Sequence, residues 1–456
     1  MAKKLWGARF KKDTDKDFEE FSKSIQYDYK LAQYDIYHSI IHVNALVDSS
    51  ILTKDEGSRL ISVLRQILRE IEEGEFKPDL ECEDIHSDIQ NRVEKKAPKL
   101  AAKLHTLRSR NDQIVFDEKV YCLNEVEELG KLLTHTFDAI IGKASQYEKN
   151  FFLGYTHTRR AQVIFFNDYI LAYAHMFKRD YRRLQCFIEN LGVSIGSGAL
   201  AGSSLNAKHY QKVVFSALVK KHLAELENAV DNVSSRDFII ELLNTLAILQ
   251  MHLSRLAEDM IMYSGKEFEF LELPEEFCTG SSLMPHKKNP DFLELVRGYS
   301  GIIYGNLMAI LTTMKGLPLT YNRDMQLDKT PLFSSVEIVK KELKIMAEFI
   351  KGITLKEKNI AKALEDECLY ATEIAEFLVT EKNIPFSQAH DAVGRLIRYA
   401  QEKELKIQNM QDSVLKTFHP DLDSGALRLI MNPEHATSSK RSILRKVPKI
   451  KNNKLR

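Results

Sequence analysis

A chain of 456 residues, 44% of them hydrophobic, can bury a large core, and by length it allows two or three domains. Its 65 basic and 64 acidic residues leave a net charge of +1, which excludes a general attraction to nucleic acid. The five cysteines (Cys82, Cys122, Cys186, Cys278 and Cys368) are scattered, with no Cys-x-x-Cys pair. That pattern argues against a disulfide framework or a zinc site and fits a reducing compartment.

The N-terminus, Met-Ala-Lys-Lys-Leu-Trp-Gly-Ala-Arg-Phe, is positively charged but has no apolar stretch behind it, so it does not read as a signal peptide. Residues 1–112 contain short amphipathic pieces, such as 29–47 and 54–71, and are expected to form a small helical domain. The polar run His105-Thr-Leu-Arg-Ser-Arg-Asn-Asp-Gln113 opens a helix, where Asn111 or Asp112 fits an N-cap. Two arginines within three residues also suit carboxylate recognition, because a guanidinium fork pairs with both oxygens.

From 113 to 360 apolar residues recur at spacings of three and four over long runs, the mark of long helices packed at shallow angles. One stripe runs from Phe166 through Ile170, Tyr173, Phe177, Tyr181 and Leu184 to Ile188. A second is Ile239, Leu242, Leu246, Leu249, Leu253, Leu256 and Met260, opened by a capping-box-like Ser234-Ser235-Arg236-Asp237. Two more follow, Leu293 to Met314 and Val336 to Ile350, with Gly265, Gly316 and Gly352 where helix-terminating glycines belong. Helices this long and apolar on more than one side are expected to pack against other subunits. The most apolar run, 163–177, is interrupted by Asn167, Asp168 and His175, so no membrane span is expected.

Three polar islands punctuate this region. Gly154-Tyr-Thr-His-Thr-Arg-Arg-Ala-Gln162 places His157 at a loop-to-helix entry, where a lone histidine is more often a hydrogen-bonded scaffold residue than an acid. Gly280-Ser-Ser-Leu-Met-Pro-His-Lys-Lys-Asn-Pro290 combines flexible backbone, two hydroxyls, an imidazole and two ammoniums. Its last residues read as a helix start, with Asn289 at the N-cap and Pro290 at N1, and a helix N-terminus beside lysines is an anion site. Leu319-Thr-Tyr-Asn-Arg-Asp-Met-Gln-Leu-Asp-Lys329 is a helix connection rich in side-chain donors. Residues 361–456 return to shorter helices and end in a tail, Lys440 to Arg456, with eight basic and no acidic residues, read as solvated.

The Gly280–Pro290 stretch resembles the signature loop of the fumarase and aspartase superfamily, matching at Gly280, Ser281, Ser282, Met284, Pro285, Lys287, Asn289 and Pro290. The other islands, with Gly196-Ser-Gly-Ala-Leu-Ala-Gly202, Leu5-Trp6-Gly7 and Glu83-Asp84-Ile85-His86, narrow the resemblance to the argininosuccinate lyase family over nearly the whole chain. The resemblance implies an all-α, three-domain fold (1–112, 113–360, 361–456) in a cytoplasmic homotetramer, each active site drawing on three subunits. It implies a cofactor-free and metal-free elimination of fumarate from argininosuccinate to give arginine, with no nucleic-acid or membrane partner.

By the same resemblance Ser281 is the base, His157 the acid, Glu294 the orienter of the imidazole, and Lys287 and Asn289 meet the developing charge. Ser24, Asn111, Thr156, Tyr321, Gln326 and Lys329 match positions that hold the substrate. A lyase acting on another N-succinyl substrate such as adenylosuccinate, and a non-catalytic scaffold, are the alternatives. The chain departs from the family at Leu107, usually Gly or Ala, and at Thr158, Arg159, Val163 and His286, which bears on affinity and substrate more than on reaction type.

Overall fold

The computed structural model describes residues 11–212 and 221–450, so the Leu5-Trp6-Gly7 motif lies outside the described residues. Five long helices dominate: Arg110–Gln146, Phe166–Asn190, Asp237–Ser264, Asp291–Met314 and Lys329–Gly352. Two of them, of 37 and 28 residues, exceed twenty-five; the others have 25, 24 and 24. The apolar stripes face inward as the periodicity requires. Every residue of the Ile239 to Met260 stripe is at most 1% exposed, and each such side chain contributes about 2 kcal/mol by leaving water. The five helices pack mainly on one another, the Asp237–Ser264 helix lying along Asp291–Met314 and Arg110–Gln146 along Lys329–Gly352.

Shorter helices flank the bundle. Ala32–Asp48 and Lys54–Glu72, the latter opened by a complete capping box between Thr53 and Glu56, match the two amphipathic pieces expected near the N-terminus. The only strands among the described residues form two antiparallel pairs. β1 (Phe151–Thr156) and β2 (Arg159–Phe165) make a hairpin; β3 (Leu271–Glu272) and β4 (Thr354–Leu355) make a two-residue clasp. No described helix is long and apolar enough to cross a membrane. All five cysteines are free.

Several local expectations need correction. His157 does not sit at a helix entry: it and Thr158 form the two-residue tip of the hairpin, with φ of 54° and 58°, and the helix starts only at Phe166. At the signature loop Pro290, not Asn289, occupies the cap, because the Asn289 backbone is paired with Thr279. The helix after Ser234 is not closed by a capping box; Arg236 holds the cap position while its side chain turns into the core. The helix at 110 is capped by Ser109, whose hydroxyl oxygen accepts from the Asn111 N–H.

Of the three terminating glycines, Gly316 alone is left-handed, with φ of 80°. Gly352 serves close approach instead, since a Cβ there would lie 2.7 Å from the Pro274 side chain. The basic tail is not simply solvated either. Lys440 and Arg445 are ion-paired, Pro448 is buried and Ile450 packs on the core.

Candidate active site

The site residues fall into three groups. The first gathers where three helices begin or pass. Lys329 Nζ lies 2.8 Å from Glu118 Oε1 and 2.8 Å from Asp328 Oδ1. Arg236 Nε lies 2.5 Å from Asp328 Oδ2 and 3.2 Å from Glu118 Oε2. All four side chains are buried, so two cations and two carboxylates alternate out of water. Burial opposes the Lys329 charge, but Asp328 and Glu118 outweigh it and hold the ammonium above its ordinary range. Burial likewise opposes the Asp328 carboxylate, yet Lys329 and Arg236 keep it below its usual value. Glu118 is pushed up to about 7, by burial first and then by Asp328. Lys329 donates a hydrogen bond to Asp328 and is ion-paired with Glu118.

Around this cluster the chain draws in the Leu319–Lys329 island, the His105–Gln113 run and the Glu83-Asp84-Ile85-His86 motif. The Gln326 amide donates to the Ser22 carbonyl at 3.1 Å and to Tyr27 Oη at 3.3 Å. Glu83 is the junction. Its carbonyl accepts from the Ser24 N–H at 2.8 Å, and its carboxylate lies 3.1 Å from Arg323 and 3.5 Å from Arg110. Ser24 Oγ donates to Asp28 at 2.6 Å. Burial and the neighbouring Asp84 push the Asp28 carboxyl up to about 6. Burial raises the Tyr321 phenol above its ordinary value, with Lys329 and Arg236 pulling the other way.

Asn111 and its neighbour dock the glycine-rich 196–202 loop. The Asn111 amide donates to the Ala199 carbonyl at 3.1 Å, and the Asp112 carboxylate accepts from the Gly196 and Ser197 N–H groups at 3.0 and 3.1 Å. Gly198 is required there, because a Cβ would meet the Gly202 carbonyl oxygen at 2.4 Å in a backbone with φ of 56°.

The second group is the signature loop. Thr279 and Asn289 exchange backbone hydrogen bonds of 3.1 and 2.8 Å and close the loop at its neck. Inside it the Ser281 hydroxyl oxygen accepts from the Leu283 and Met284 N–H groups at 3.2 and 3.0 Å. Two amide dipoles aimed at one oxygen favour its deprotonated form. Lys288 is tied to Glu272 and the Leu273 carbonyl, whereas Lys287 Nζ is exposed, with no protein partner among the described residues. Glu294 is exposed one turn into the following helix.

The third group is the hairpin tip, where Thr156 and His157 are both exposed. The base of the hairpin is fixed by aromatic packing, Phe152 meeting Phe166, Tyr263 and Phe270 at centroid distances of 5.2 to 5.8 Å.

Helix geometry sets how far apart these groups lie. Phe292, next to the signature loop, packs on Phe349 at 5.6 Å, and Phe349 is twenty residues along the same helix from Lys329. At 1.5 Å per residue that is about 30 Å. Tyr263, which packs on Tyr155 of the hairpin, lies at the opposite end of the Asp237–Ser264 helix from Arg236, about 40 Å away by the same rise. Within one chain the Lys329 cluster therefore does not meet Ser281 or His157, and no hydrogen bond or ion pair among the described residues joins His157 to Ser281 or Glu294.

The sequence offers no site role for Glu118 or Arg236, and it marks Glu83 only as part of the Glu83-Asp84-Ile85-His86 motif. Arg236 was read as part of a cap. The available signal was a charge on an apolar face, since Glu118 shares its side of the helix with Val115, Tyr121 and Cys122, all buried.

Comparison with known proteins covers about nine-tenths of the chain. Residues 8–305 match a family model described as Lyase, and residues 368–438 match one described as Argininosuccinate lyase C-terminal. An argininosuccinate lyase of Caldanaerobacter subterraneus subsp. tengcongensis is 44% identical over 416 residues, 91% of this chain and 93% of its own. One of Clostridium botulinum strain Langeland is 42% identical over 417 residues, 91% of this chain and 93% of its own.

Among solved structures, EDDS lyase in complex with formate superposes with a TM-score of 0.77 at 19% identity, covering 93% of this chain and 85% of that one. Class II fumarase from Schistosoma mansoni does so with a TM-score of 0.76 at 14% identity, covering 91% and 93%. These two resemblances concern the fold, which is the all-helical fumarase-like one. By sequence over nine-tenths of its length, the chain belongs to the argininosuccinate lyase family of the fumarase and aspartase superfamily.

Proposed function

We propose that this chain catalyses the reversible elimination of fumarate from argininosuccinate, leaving arginine, with Ser281 as base and His157 as acid. The proton removed sits on carbon beside a carboxylate, so the carbon–hydrogen bond breaks toward an aci-carboxylate dianion. Collapse of that dianion breaks the carbon–nitrogen bond, and His157 gives a proton to the departing guanidinium nitrogen. Lys287, Asn289 and the loop amides meet the dianion, while Glu294 orients the imidazole.

The observation that carries this reading is the pair of backbone N–H groups on Ser281 Oγ, because a serine without such donors is a poor base at neutral pH. Ser24, Asn111, Thr156, Tyr321, Gln326 and Lys329 hold the substrate.

The working unit is a homotetramer whose sites combine the three groups from different chains, in the cytoplasm, each chain built of segments 1–112, 113–360 and 361–456. The separations of about 30 and 40 Å along the helices support this, because one chain cannot close them. So does one face of the Asp291–Met314 helix, where Leu295, Tyr299 and Ile302 are 59, 38 and 50% exposed.

Fumarate release by the purified protein, offered argininosuccinate and adenylosuccinate in parallel, tests the reading. Release from argininosuccinate alone is expected. Release from adenylosuccinate alone would move the substrate to another N-succinyl compound, and release from neither would leave a scaffold that kept the fold.

A further inference from the structure

The match to the C-terminal family model ends at residue 438, before the basic tail begins, and the proposed chemistry does not use the tail. Its position is nevertheless specific. The Arg445 guanidinium lies 2.9 Å from Asp168 Oδ2, donates to the Thr437 carbonyl at 3.2 Å, and sits over the Phe165 ring with its carbon 5.1 Å from the centroid. Phe165 is the last residue of β2 and stacks on Phe151, the first of β1, at 5.4 Å. Asp168 is in the first turn of the helix that follows. Arg445 therefore grips the joint between the hairpin and its helix.

A second anchor holds the hairpin near its tip, where Arg160 lies 3.1 Å from Asp366. Asp366 immediately precedes the short turn leading into the Ala371–Thr380 helix. Lys440 reaches that same helix, 3.2 Å from the buried Glu373 and 2.5 Å from Glu376. The path thus closes on itself, from hairpin tip to Asp366, to the helix, to Lys440, to Arg445 and back to the hairpin base.

Such a brace has physical work to do. A two-stranded hairpin is marginally stable alone, and this one turns through His157 and Thr158, both in the left-handed region without a glycine. We propose that Arg445 is a positioning residue, which acts through Phe165 and Asp168 to fix the angle at which the hairpin presents His157. The proposal rests on the reading of His157 as the acid.

The test uses the full-length protein. Arg445→Ala, Arg445→Lys, Asp168→Asn and His157→Ala are compared for amide hydrogen exchange across Phe151–Phe165 and for kcat and KM. Arg445→Ala should speed exchange in the hairpin about tenfold, leaving the long helices protected. It should also lower kcat about tenfold with KM within about twofold, since an ångström of misplacement in a reacting group is felt in the chemical step. Asp168→Asn should reproduce part of both effects and add little to Arg445→Ala, and Arg445→Lys should restore part of each.

Unchanged exchange in Arg445→Ala would overturn the brace. Faster exchange with unchanged kcat, in a protein that His157→Ala inactivates, would overturn the positioning role. Should His157→Ala itself remain active, the acid assignment fails, and the exchange data still decide whether Arg445 braces the hairpin.

Discussion

Arg236 and Lys329 share the same two buried carboxylates, Glu118 and Asp328, so neither cation has a partner of its own. Removing Arg236 leaves two acids facing one ammonium out of water. Arg236→Met should therefore destabilise the protein by about 3 kcal/mol, and substrate affinity should fall as Lys329 is drawn deeper between the acids. Urea unfolding and KM measure the two effects, and a stability within about 0.5 kcal/mol of wild type would show that the cluster is not a unit.

Asp28 gives the stability profile a defined slope. Its carboxyl is raised to about 6 in the folded chain against 3.8 as its ordinary value. The folded state thus holds the proton more tightly than the unfolded one, and stability from this group is lost as pH rises from about 4 through about 6. The loss amounts to roughly 3 kcal/mol at neutral pH. Asp28→Asn removes the titration, so denaturation midpoints at pH 4.5 and 7.5 should show the variant gaining on wild type at the higher pH. Parallel profiles would refute the raised value.

Leu107 has φ of 59°, a left-handed backbone that costs a leucine about 1 kcal/mol, and its side chain is 40% exposed. Leu107→Gly should release that strain with little loss of packing. A thermal transition equal to or above wild type is expected, with KM altered more than kcat because Arg108 and Asn111 lie beside it. A clear fall in melting temperature would mean that Leu107 packs usefully in the assembled protein.

If the groups of one site come from different chains, two inactive variants can repair each other. Ser281→Ala and Lys329→Ala, denatured together and refolded as a mixture, should regain up to about a quarter of wild-type activity, the fraction of sites that receive both intact groups in random assembly. Refolded separately, each should stay inactive. No recovery in the mixture, with tetramers formed, would place Ser281 and Lys329 of a site on one chain.

The long helices were legible because the period of 3.6 residues runs unbroken through stripes such as Ile239 to Met260. The hairpin was not. Its strands carry apolar runs, Phe151 to Leu153 and Val163 to Phe165, in place of clean alternation, and its turn is His157-Thr158 where Asn-Gly would have announced it. The polar and charged character of each island was legible from residue type and motif. Which end of the bundle each island occupies was not, since that depends on packing between helices distant in sequence. The tail read as solvated because its partners, Asp168, Glu373 and Glu376, belong to other parts of the chain.

Seams of Leu and Ile alone would let neighbouring long helices slide by a turn at small cost, since one aliphatic knob fills a hole much as another does. The four-charge cluster takes Glu118 from one such helix, Arg236 from the start of a second and Asp328 with Lys329 from the start of a third. A shift of a single helical turn in any of them would strand a charge against hydrocarbon, at several kcal/mol. The cluster is in this sense the vernier of the bundle, fixing the axial register to which every residue farther along the three helices is referred.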